Sequence, residues 1–346
     1  MSGAHTLSPP PVRRRPAALE VAGLVAGLVL LVSLVFVAFA WPGVRTAPRH
    51  VPIGVAGPAA AVTQVQQRLA SAEPGAFEVS TYRDGDALRR AARNRDVYGG
   101  FVLNGQEPIV VVASGGSPVV AQALTAVGQQ LAARSGGQAR VEDVAPLPSS
   151  DPRGLGLAGA GLPLVIGGIV SALLLARRLP GRPWLRVTAA TGFAVLAGFA
   201  LAAILQFWFG SIDGALLRVG LGLSLGIGAV SLLLLGLESV LGRVGLGLGA
   251  AVVLLLGNPL SGLTSAPELL PSGWGALGQL LPPGATGTVL RSDAYFQGVG
   301  ADRAVLVLSC WVALGLLLVA AALRRHRTRA VAPSTVSARS VVATAA

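Results

Sequence analysis

The sequence predicts an α-helical membrane protein with six transmembrane helices and an extracytoplasmic α/β domain inserted between helices 1 and 2. Three observations support this fold class. The chain of 346 residues is 53% hydrophobic and only 12% charged, with a mean hydropathy of +0.67, whereas soluble domains carry about 25% charged residues. Its long apolar runs are bounded by arginine clusters. One long segment has alternating strand and helix patterns instead.

Six apolar runs approach the roughly 20 residues that a helix needs to cross a bilayer. The fifth run is short and rich in glycine, and it can continue past Pro259. The last five belong to a five-helix transmembrane region, residues 155–323. The predicted spans are Leu19–Trp41, Leu155–Ala176, Val187–Phe209, Ala215–Leu237, Val244–Gly257 and Arg303–Leu323.

The first run could also be a cleaved signal peptide, because basic residues precede it and Ala38-Phe39-Ala40 follows. Its length of about 20 apolar residues exceeds the 7 to 15 that are usual in signal peptides. We therefore predict that it is a retained anchor, residues 19–41.

The arginine clusters predict the orientation, because short cytoplasmic loops retain positive charge. Arg13, Arg14 and Arg15 precede the first span, four arginines separate the second from the third, and a cluster of four at 324–329 follows the sixth. The short loop 210–214 has none. We expect a multi-pass plasma-membrane protein with cytoplasmic tails at residues 1–18 and 324–346.

The segment 42–154 is predicted to be the extracytoplasmic domain. Its 11 arginines and 9 acidic residues nearly balance, so the formal net charge of +12 reflects topology and implies no nucleic-acid partner. Alternating strands and helices predict a small α/β domain with some parallel pairing. Strands are predicted at Val51–Ala56, Phe77–Tyr82, Gly100–Leu103, Pro108–Ala113 and Arg140–Val144, and helices at Ala60–Ala72, from Asp84 or Asp86 to Arg95, and at Pro118–Arg134.

Several catalytic and cofactor classes lack their residues. The chain has no lysine, which a Walker A loop requires, and one cysteine and three histidines offer little for a disulfide or a soft metal. The GxGxxG match at Gly154 to Gly159 opens a predicted span, where small residues favour close helix packing. The GxSxG match around Ser224 has no histidine in any span to serve as its base. We therefore predict no enzyme activity and no cofactor.

The segment 258–302, which we call the hairpin segment, is apolar but broken by many prolines and glycines. A spanning helix with so many breaks would leave backbone groups unsatisfied in lipid. We expect it to dip into or lie along the outer leaflet, as a gate or as a structural lid. The residues expected to face inward are Leu269, Leu270, Trp274, Leu280 and Leu281. The candidate gate and substrate contacts are Gln206, Asn258, Pro259, Glu268, Trp274, Pro282 and Pro283.

Two charged pairs are predicted at the ends of spans. Asp213 and Arg218 flank one turn, and Glu238 and Arg243 flank another, where a pair that fixes the turn is favoured over a proton relay.

Four motifs resemble the ABC type-2 permease superfamily, in particular the branch similar to the phage infection protein. They are DVYGGFVL at 96–103, PIVVVASGG at 108–116, PLPSSDPRG at 146–154, and the stretch from GNPLSG to LLPPGA at 257–285. The resemblance implies a membrane subunit that works with a separate cytoplasmic ATPase, usually as a homodimer or heterodimer. The loop that contacts the ATPase in that family corresponds to Arg177 to Arg186, although here it contains Pro180, Gly181 and Pro183. The candidate coupling residues are Arg177, Arg178, Arg182, Arg186, Glu238 and Arg243.

Two functions are therefore expected. The first is a permease-like subunit of an ABC type-2 exporter that moves a lipid or a small hydrophobic compound. The alternative is a membrane-anchored surface module whose outer domain recognises a ligand or partner. In both cases the lipid bilayer surrounds the helices.

Overall fold

A computed structural model describes residues 17–103, 107–133 and 137–331. Most of the two predicted tails, including Arg13, Arg14 and Arg15, lies outside the described residues. The described chain combines long apolar helices with one small mixed sheet.

The sheet has five strands in the order β2-β1-β3-β4-β5. Strand β1 pairs in parallel with β2 and β3, β3 pairs antiparallel with β4, and β4 pairs in parallel with β5. The strands are β1 Val51–Ala56, β2 Phe77–Tyr82, β3 Gly99–Val102, β4 Ile109–Val112 and β5 Arg140–Asp143. All five lie within a residue or two of their predicted positions.

Three helices cover the two faces of this sheet: α2 Ala59–Ala72, α3 Gly85–Arg93 and α4 Pro118–Ala133. Helices α2 and α4 pack on the face that contains Phe101. Helix α3 packs through Leu88 on the other face. Of the two caps proposed for α3, Asp84 is the one used, because its Oδ1 accepts the N–H of Ala87 at 2.8 Å. We call residues 51–143 the sheet unit.

Among the described residues, five helices are long and apolar enough to cross a membrane, which fits a multi-pass membrane protein: Ala18–Val44, Leu155–Arg178, Pro183–Trp208, Leu216–Gly257 and Asp302–Arg325. They comprise α1 Ala17–Val44, the pair α5 Leu155–Gly159 and α6 Gly161–Arg178, α7 Pro183–Ala203 with a π turn at Ile204–Trp208, α8 Leu216–Val252 with a π turn at Val253–Gly257, and later α11 Asp302–Val331. Most of α1 stands apart, because no residue of its most apolar window is buried.

The count is five, where six spans were predicted, because the predicted fourth and fifth spans follow each other without a loop and are counted as one helix, Leu216–Gly257. Within this helix, Gly242 has non-helical backbone angles, φ 66° and ψ −151°. The chain reverses there: a methyl group added at Gly249 would lie 2.6 Å from Leu234 and Leu237, whereas a straight helix would separate residues 234 and 249 by about 22 Å. The predicted turn is therefore present.

The hairpin segment contains a 3₁₀ turn at Pro267–Leu269, then α9 Trp274–Gln279 and α10 Pro282–Tyr295. Two arrangements were predicted for it, a dip into the leaflet or a position along its surface, and the second is wrong for α10, which is buried among the other helices. Gly222 of α8 faces Val289 and Asp293 of α10, and Gly226 faces Thr286. Small residues on α8 allow this close approach, and a helix satisfies its own backbone groups when buried.

The leucines predicted to face inward divide between two environments. Leu269 and Leu270 are buried, whereas Leu280 is 48% exposed and Leu281 is half-buried. The segment before α10 therefore packs through its 3₁₀ turn more than through α9.

Candidate functional site

A cavity of about 700 Å³ lies between the sheet unit and the hairpin segment. One wall comes from the end of α3, the loop before β3 and the residues before β1. The other comes from the 3₁₀ turn, α9, α10 and the start of α11. The polar residues of its lining are Arg49, His50, Asn94, Arg95, Asp96, Tyr98, Glu268, Ser272, Gln279, Thr288, Arg291 and Arg303.

Arg95 reaches across the cavity from an unusual backbone position. Helix α3 ends in a Schellman motif: the N–H of Asp96 donates to the carbonyl of Ala91 at 2.9 Å, and that of Arg95 to Ala92 at 3.2 Å. Arg95 occupies the left-handed position of this motif, with φ 64°, which glycine normally fills. The guanidinium is thereby directed away from α3 and toward α10.

The Arg95 guanidinium binds α10 through one of its nitrogens. Nη1 donates to the carbonyl of Thr288 at 3.3 Å and to the hydroxyl of Ser292. The guanidinium carbon also lies 5.2 Å from the centre of the Phe296 ring, a cation–π contact. Arg95 therefore joins the sheet unit to the helix at the centre of the bundle.

Tyr98 forms the second bridge across the interface. Its hydroxyl donates to Glu268 Oε2 at 2.7 Å. Burial raises the pKa of the Tyr98 phenol, and the charge of Glu268 raises it further. The phenol therefore remains protonated and serves as a donor to the carboxylate.

Arg49 and its neighbour Ala47 hold the 3₁₀ turn through backbone atoms. The N–H groups of Ala47 and Arg49 donate to the carbonyls of Leu269 and Glu268 at 3.1 and 3.0 Å. The Arg49 guanidinium donates to the carbonyls of Leu269 and Leu270 at 3.2 and 2.9 Å. These bonds hold the hairpin segment against the chain that enters β1.

Arg291 of α10 organises the loop on the other side of the cavity. It is 7% exposed and donates to the carbonyls of Gly262, Leu263 and Ser265 at 3.2, 2.6 and 3.2 Å. Within the described chain, no carboxylate forms an ion pair with Arg291, with Arg95 or with Arg49.

Apolar contacts reinforce the same interface. Ala266 and Leu269 of the hairpin segment belong to the core of the sheet unit. Phe296 packs with Ala113 and Ala145. The ring of Trp274 meets that of Trp41 edge-on, with their centres 5.4 Å apart.

Only Glu268 of the seven predicted gate residues lines this cavity. Trp274 packs against α1 as described, and Asn258 and Pro259 are half-buried. Pro282 and Pro283 are buried at the start of α10, where Pro283 packs against Gly257.

Gln206 lies apart from the cavity, on the π turn that follows α7. Its Oε1 is buried without a hydrogen-bond partner among the described residues. The seven predicted gate residues are therefore not brought together.

The predicted list omitted Arg49, Arg95, Tyr98 and Arg291. One signal was available for Arg291, because it is the single arginine between residues 258 and 302. Arg49, Arg95 and Tyr98 lie in or beside the sheet unit. Arginine is an ordinary surface residue there, so Arg49 and Arg95 gave no such signal.

The candidate coupling residues lie at the end of the bundle remote from the sheet unit, which we call the far end. Arg186 donates to Glu238 Oε2 at 2.7 Å, and also to the carbonyls of Leu179 and Ala176 at 2.8 and 3.1 Å. The predicted pairing of Glu238 with Arg243 is wrong, since the reversal at Gly242 leaves Arg243 exposed. The remaining candidate coupling residues, Arg177, Arg178 and Arg182, are also exposed.

The second predicted pair is also wrong. Arg218 donates to the backbone carbonyl of Asp293 at 3.4 Å, because α10 occupies the space beside the start of α8, and Asp213 forms no ion pair within the described residues.

The cavity is lined by groups that can form hydrogen bonds and ion pairs. Arginine N–H groups, a phenol and two carboxylates surround a space that is also lined by Leu270 and Phe296. Ser224, the serine of the GxSxG match, donates to the carbonyl of Gly220 at 2.6 Å inside α8. No group of three or more His, Cys, Asp or Glu suited to a metal ion occurs in the described ranges.

Comparisons with protein-family models, with curated proteins and with solved structures find no match to this chain.

Proposed function

We propose that the protein is the permease-like subunit of an exporter that moves a lipid or a small hydrophobic compound, driven by a separate cytoplasmic ATPase. The observation that supports this proposal is the position of α10, a short helix buried in the bundle whose outer end forms part of the cavity wall. Interrupted helices beside a cavity are typical of transport proteins.

The proposed topology has six crossings. The chain from Arg243 to Gly257 returns from the reversal at Gly242 as a fifth, short crossing, which the irregular residues that follow extend. The far end exposes Arg177, Arg178, Arg182 and Arg243, which the positive-inside rule assigns to the cytoplasm. The sheet unit is then extracytoplasmic, on a plasma-membrane protein.

The same arginines would face the ATPase. Arg186, in the first turn of α7, bonds both to the carbonyl of Leu179 in the α6–α7 loop and to Glu238 at the end of α8 that precedes Gly242. A force applied to that loop would therefore reach α8, and α8 packs directly on α10 through Gly222 and Gly226. We propose that two such subunits, identical or not, form the complete exporter.

The test compares full-length variants in a strain that lacks the gene. Replacing Arg177, Arg178 and Arg182 by Glu is expected to preserve insertion of the protein into the membrane but to abolish co-purification of the ATPase. This variant should also fail to restore the lipid or efflux profile that the wild-type protein restores in the deletion strain. The matched control replaces exposed Arg83, Arg90 and Arg93 of the sheet unit by Glu. The proposal fails if no ATPase co-purifies with the wild-type protein and deletion leaves every profile unchanged.

A surface-recognition module is the second candidate, favoured by the fact that the sheet unit supplies most of one wall of the cavity. In that case the helices serve as an anchor. Deletion of residues 42–154 would abolish function, whereas the far-end arginine variant would retain it.

A further inference from the structure

The lining of the cavity carries an excess of positive charge. Arg49, Arg95, Arg291 and Arg303 contribute four guanidinium groups. The acidic residues of the lining are Asp96 and Glu268, which leaves a surplus of two positive charges when His50 is neutral. Buried charges are normally paired, and Arg291, the most buried of the four, forms no ion pair within the described residues. An anion in the cavity would offset this uncompensated charge.

Arg95 has donors available for such an anion. Its bonds to Thr288 and Ser292 both come from Nη1. Within the described residues, Nε and Nη2 of Arg95 donate to no acceptor. Arg303 is exposed at the start of α11 and likewise makes no hydrogen bond there. These two side chains can bind a ligand without first breaking an internal bond.

The backbone at Arg95 provides an independent observation. A residue with a Cβ is disfavoured at φ 64°, where glycine would complete the Schellman motif without strain. The chain nevertheless has arginine there. The Arg95 side chain bonds to α10 and lines the cavity, and glycine could do neither.

The size and polarity of the cavity indicate the rest of the ligand. Its volume of about 700 Å³ is in the range of small-molecule sites. Leu270, Phe296 and Ala304 add apolar surface to the lining. Arg303 and Ala304 of the lining place the cavity beside the start of α11, which is one end of an apolar helix.

We propose that this cavity binds a phosphate-type anion, carried by an amphiphile or free in solution, with Arg95 as its main ligand and Arg303 as a second. A planar guanidinium pairs with phosphate oxygens through two parallel N–H groups. The inference deepens the proposed function, because it assigns a substrate chemistry to the cavity.

The test measures binding to the full-length protein in dodecyl maltoside, with no ATPase present. The probes are inorganic phosphate, dioleoyl phosphatidylglycerol and, as the zwitterionic reference, dioleoyl phosphatidylcholine. The variants are Arg95→Gln and Arg95→Gly, the second of which relieves the backbone strain while removing the guanidinium. The matched control is Arg90→Gln, which makes the same charge change on the exposed side of α3.

Phosphatidylglycerol is expected to bind more tightly than phosphatidylcholine, and both Arg95 variants are expected to weaken it at least about tenfold, the typical effect of a lost charged hydrogen bond. Arg90→Gln should bind as the wild type does. Binding of phosphate with the same dependence on Arg95 identifies a free anion as sufficient, whereas binding of phosphatidylglycerol alone identifies an amphiphile.

The inference is overturned if neither phosphate nor phosphatidylglycerol binds above the phosphatidylcholine reference, or if affinity persists in the Arg95 variants. Should either variant fail to fold, Arg303→Gln, which changes an exposed side chain, replaces it and must also weaken binding. Because the assay needs no transport, its failure leaves the export proposal to the co-purification test.

Discussion

The hydroxyl of Tyr98 donates a 2.7 Å hydrogen bond to Oε2 of Glu268, which lies 170 positions further along the chain. This bond joins the residue before β3 to the 3₁₀ turn of the hairpin segment. The sheet unit is thereby tied to the part of the chain that leads into α10.

Replacing Tyr98 by Phe is expected to destabilise the folded protein by about 1.5 to 3 kcal/mol, because a carboxylate loses a hydrogen bond at a largely buried interface. The measurement is the unfolding midpoint in detergent. Tyr82→Phe is the matched control, since the Tyr82 hydroxyl has no hydrogen-bond partner among the described residues. Equal midpoints for the two variants would contradict the prediction.

Gly226→Ala is expected to destabilise the bundle by about 1 to 3 kcal/mol, the usual cost of overpacking. A methyl group there would overlap both branches of the Thr286 side chain on α10. Gly228→Ala, two residues along the same helix, meets only Ala194 Cβ at 3.8 Å and should be tolerated. If both substitutions are tolerated in an unfolding assay, α10 does not pack against α8 as described.

Gly242→Ala is expected to cost about 1 to 3 kcal/mol, because its backbone conformation is nearly restricted to glycine. No atom lies within 4 Å of the added methyl group, so the cost arises from the backbone alone. Gly247→Ala also meets open space but lies in helical backbone, and it should be neutral or stabilising by up to about 1 kcal/mol. A straight α8 would give the two variants the same stability.

Glu238→Gln is expected to destabilise the far end by about 1.5 to 3 kcal/mol, because Arg186 loses its charged partner at 2.7 Å. Arg243→Gln should change stability by less than about 0.5 kcal/mol, since Arg243 is exposed. A double-mutant cycle with Arg186→Gln measures the coupling directly. Coupling of Glu238 to Arg243 instead would refute the observed pairing.

Asp151 is expected to make the stability of the folded protein fall at acidic pH. Burial acts to raise the pKa of its carboxyl, but nearby hydrogen-bond donors outweigh burial and lower this pKa below the ordinary 3.8. The N–H groups of Leu155 and Gly156 donate to Oδ1 and Oδ2 of Asp151, each at 2.8 Å. A lowered pKa stabilises the folded state above the unfolded value, and this stabilisation is lost as pH falls through the folded value.

The measurement is the unfolding midpoint of the wild type and of Asp151→Asn between pH 7 and pH 3. The difference between the two should be constant at higher pH and should shrink below pH 3.8. A difference that does not change with pH would exclude a role for this charge.

The sheet unit could be predicted closely because its signals are local. Val51–Ala56 is apolar and bounded by turn residues, and Asp84 precedes a helix with an apolar face at Leu88. Period and capping act within a few residues, so the sequence displays them directly.

The partners of charged residues could not be predicted, since they depend on which helices become neighbours. Glu238 bonds to Arg186, 52 positions away, although Arg243 is closer in sequence. Likewise, the prolines and glycines of the hairpin segment predicted breaks, but the burial of α10 depends on the glycines of α8. Long-range packing of this kind leaves no periodic pattern in the segment itself.

The core of the sheet unit includes Ala266 and Leu269, which enter it from the hairpin segment. A fragment ending near residue 150 would therefore have an unfilled notch in its apolar interior, and the groups that bind the 3₁₀ turn would meet water. Ligand studies on that fragment would examine half a site. A fragment used to study ligand recognition must therefore retain both walls of the cavity, and in this chain that requires the apolar helices as well as the sheet unit.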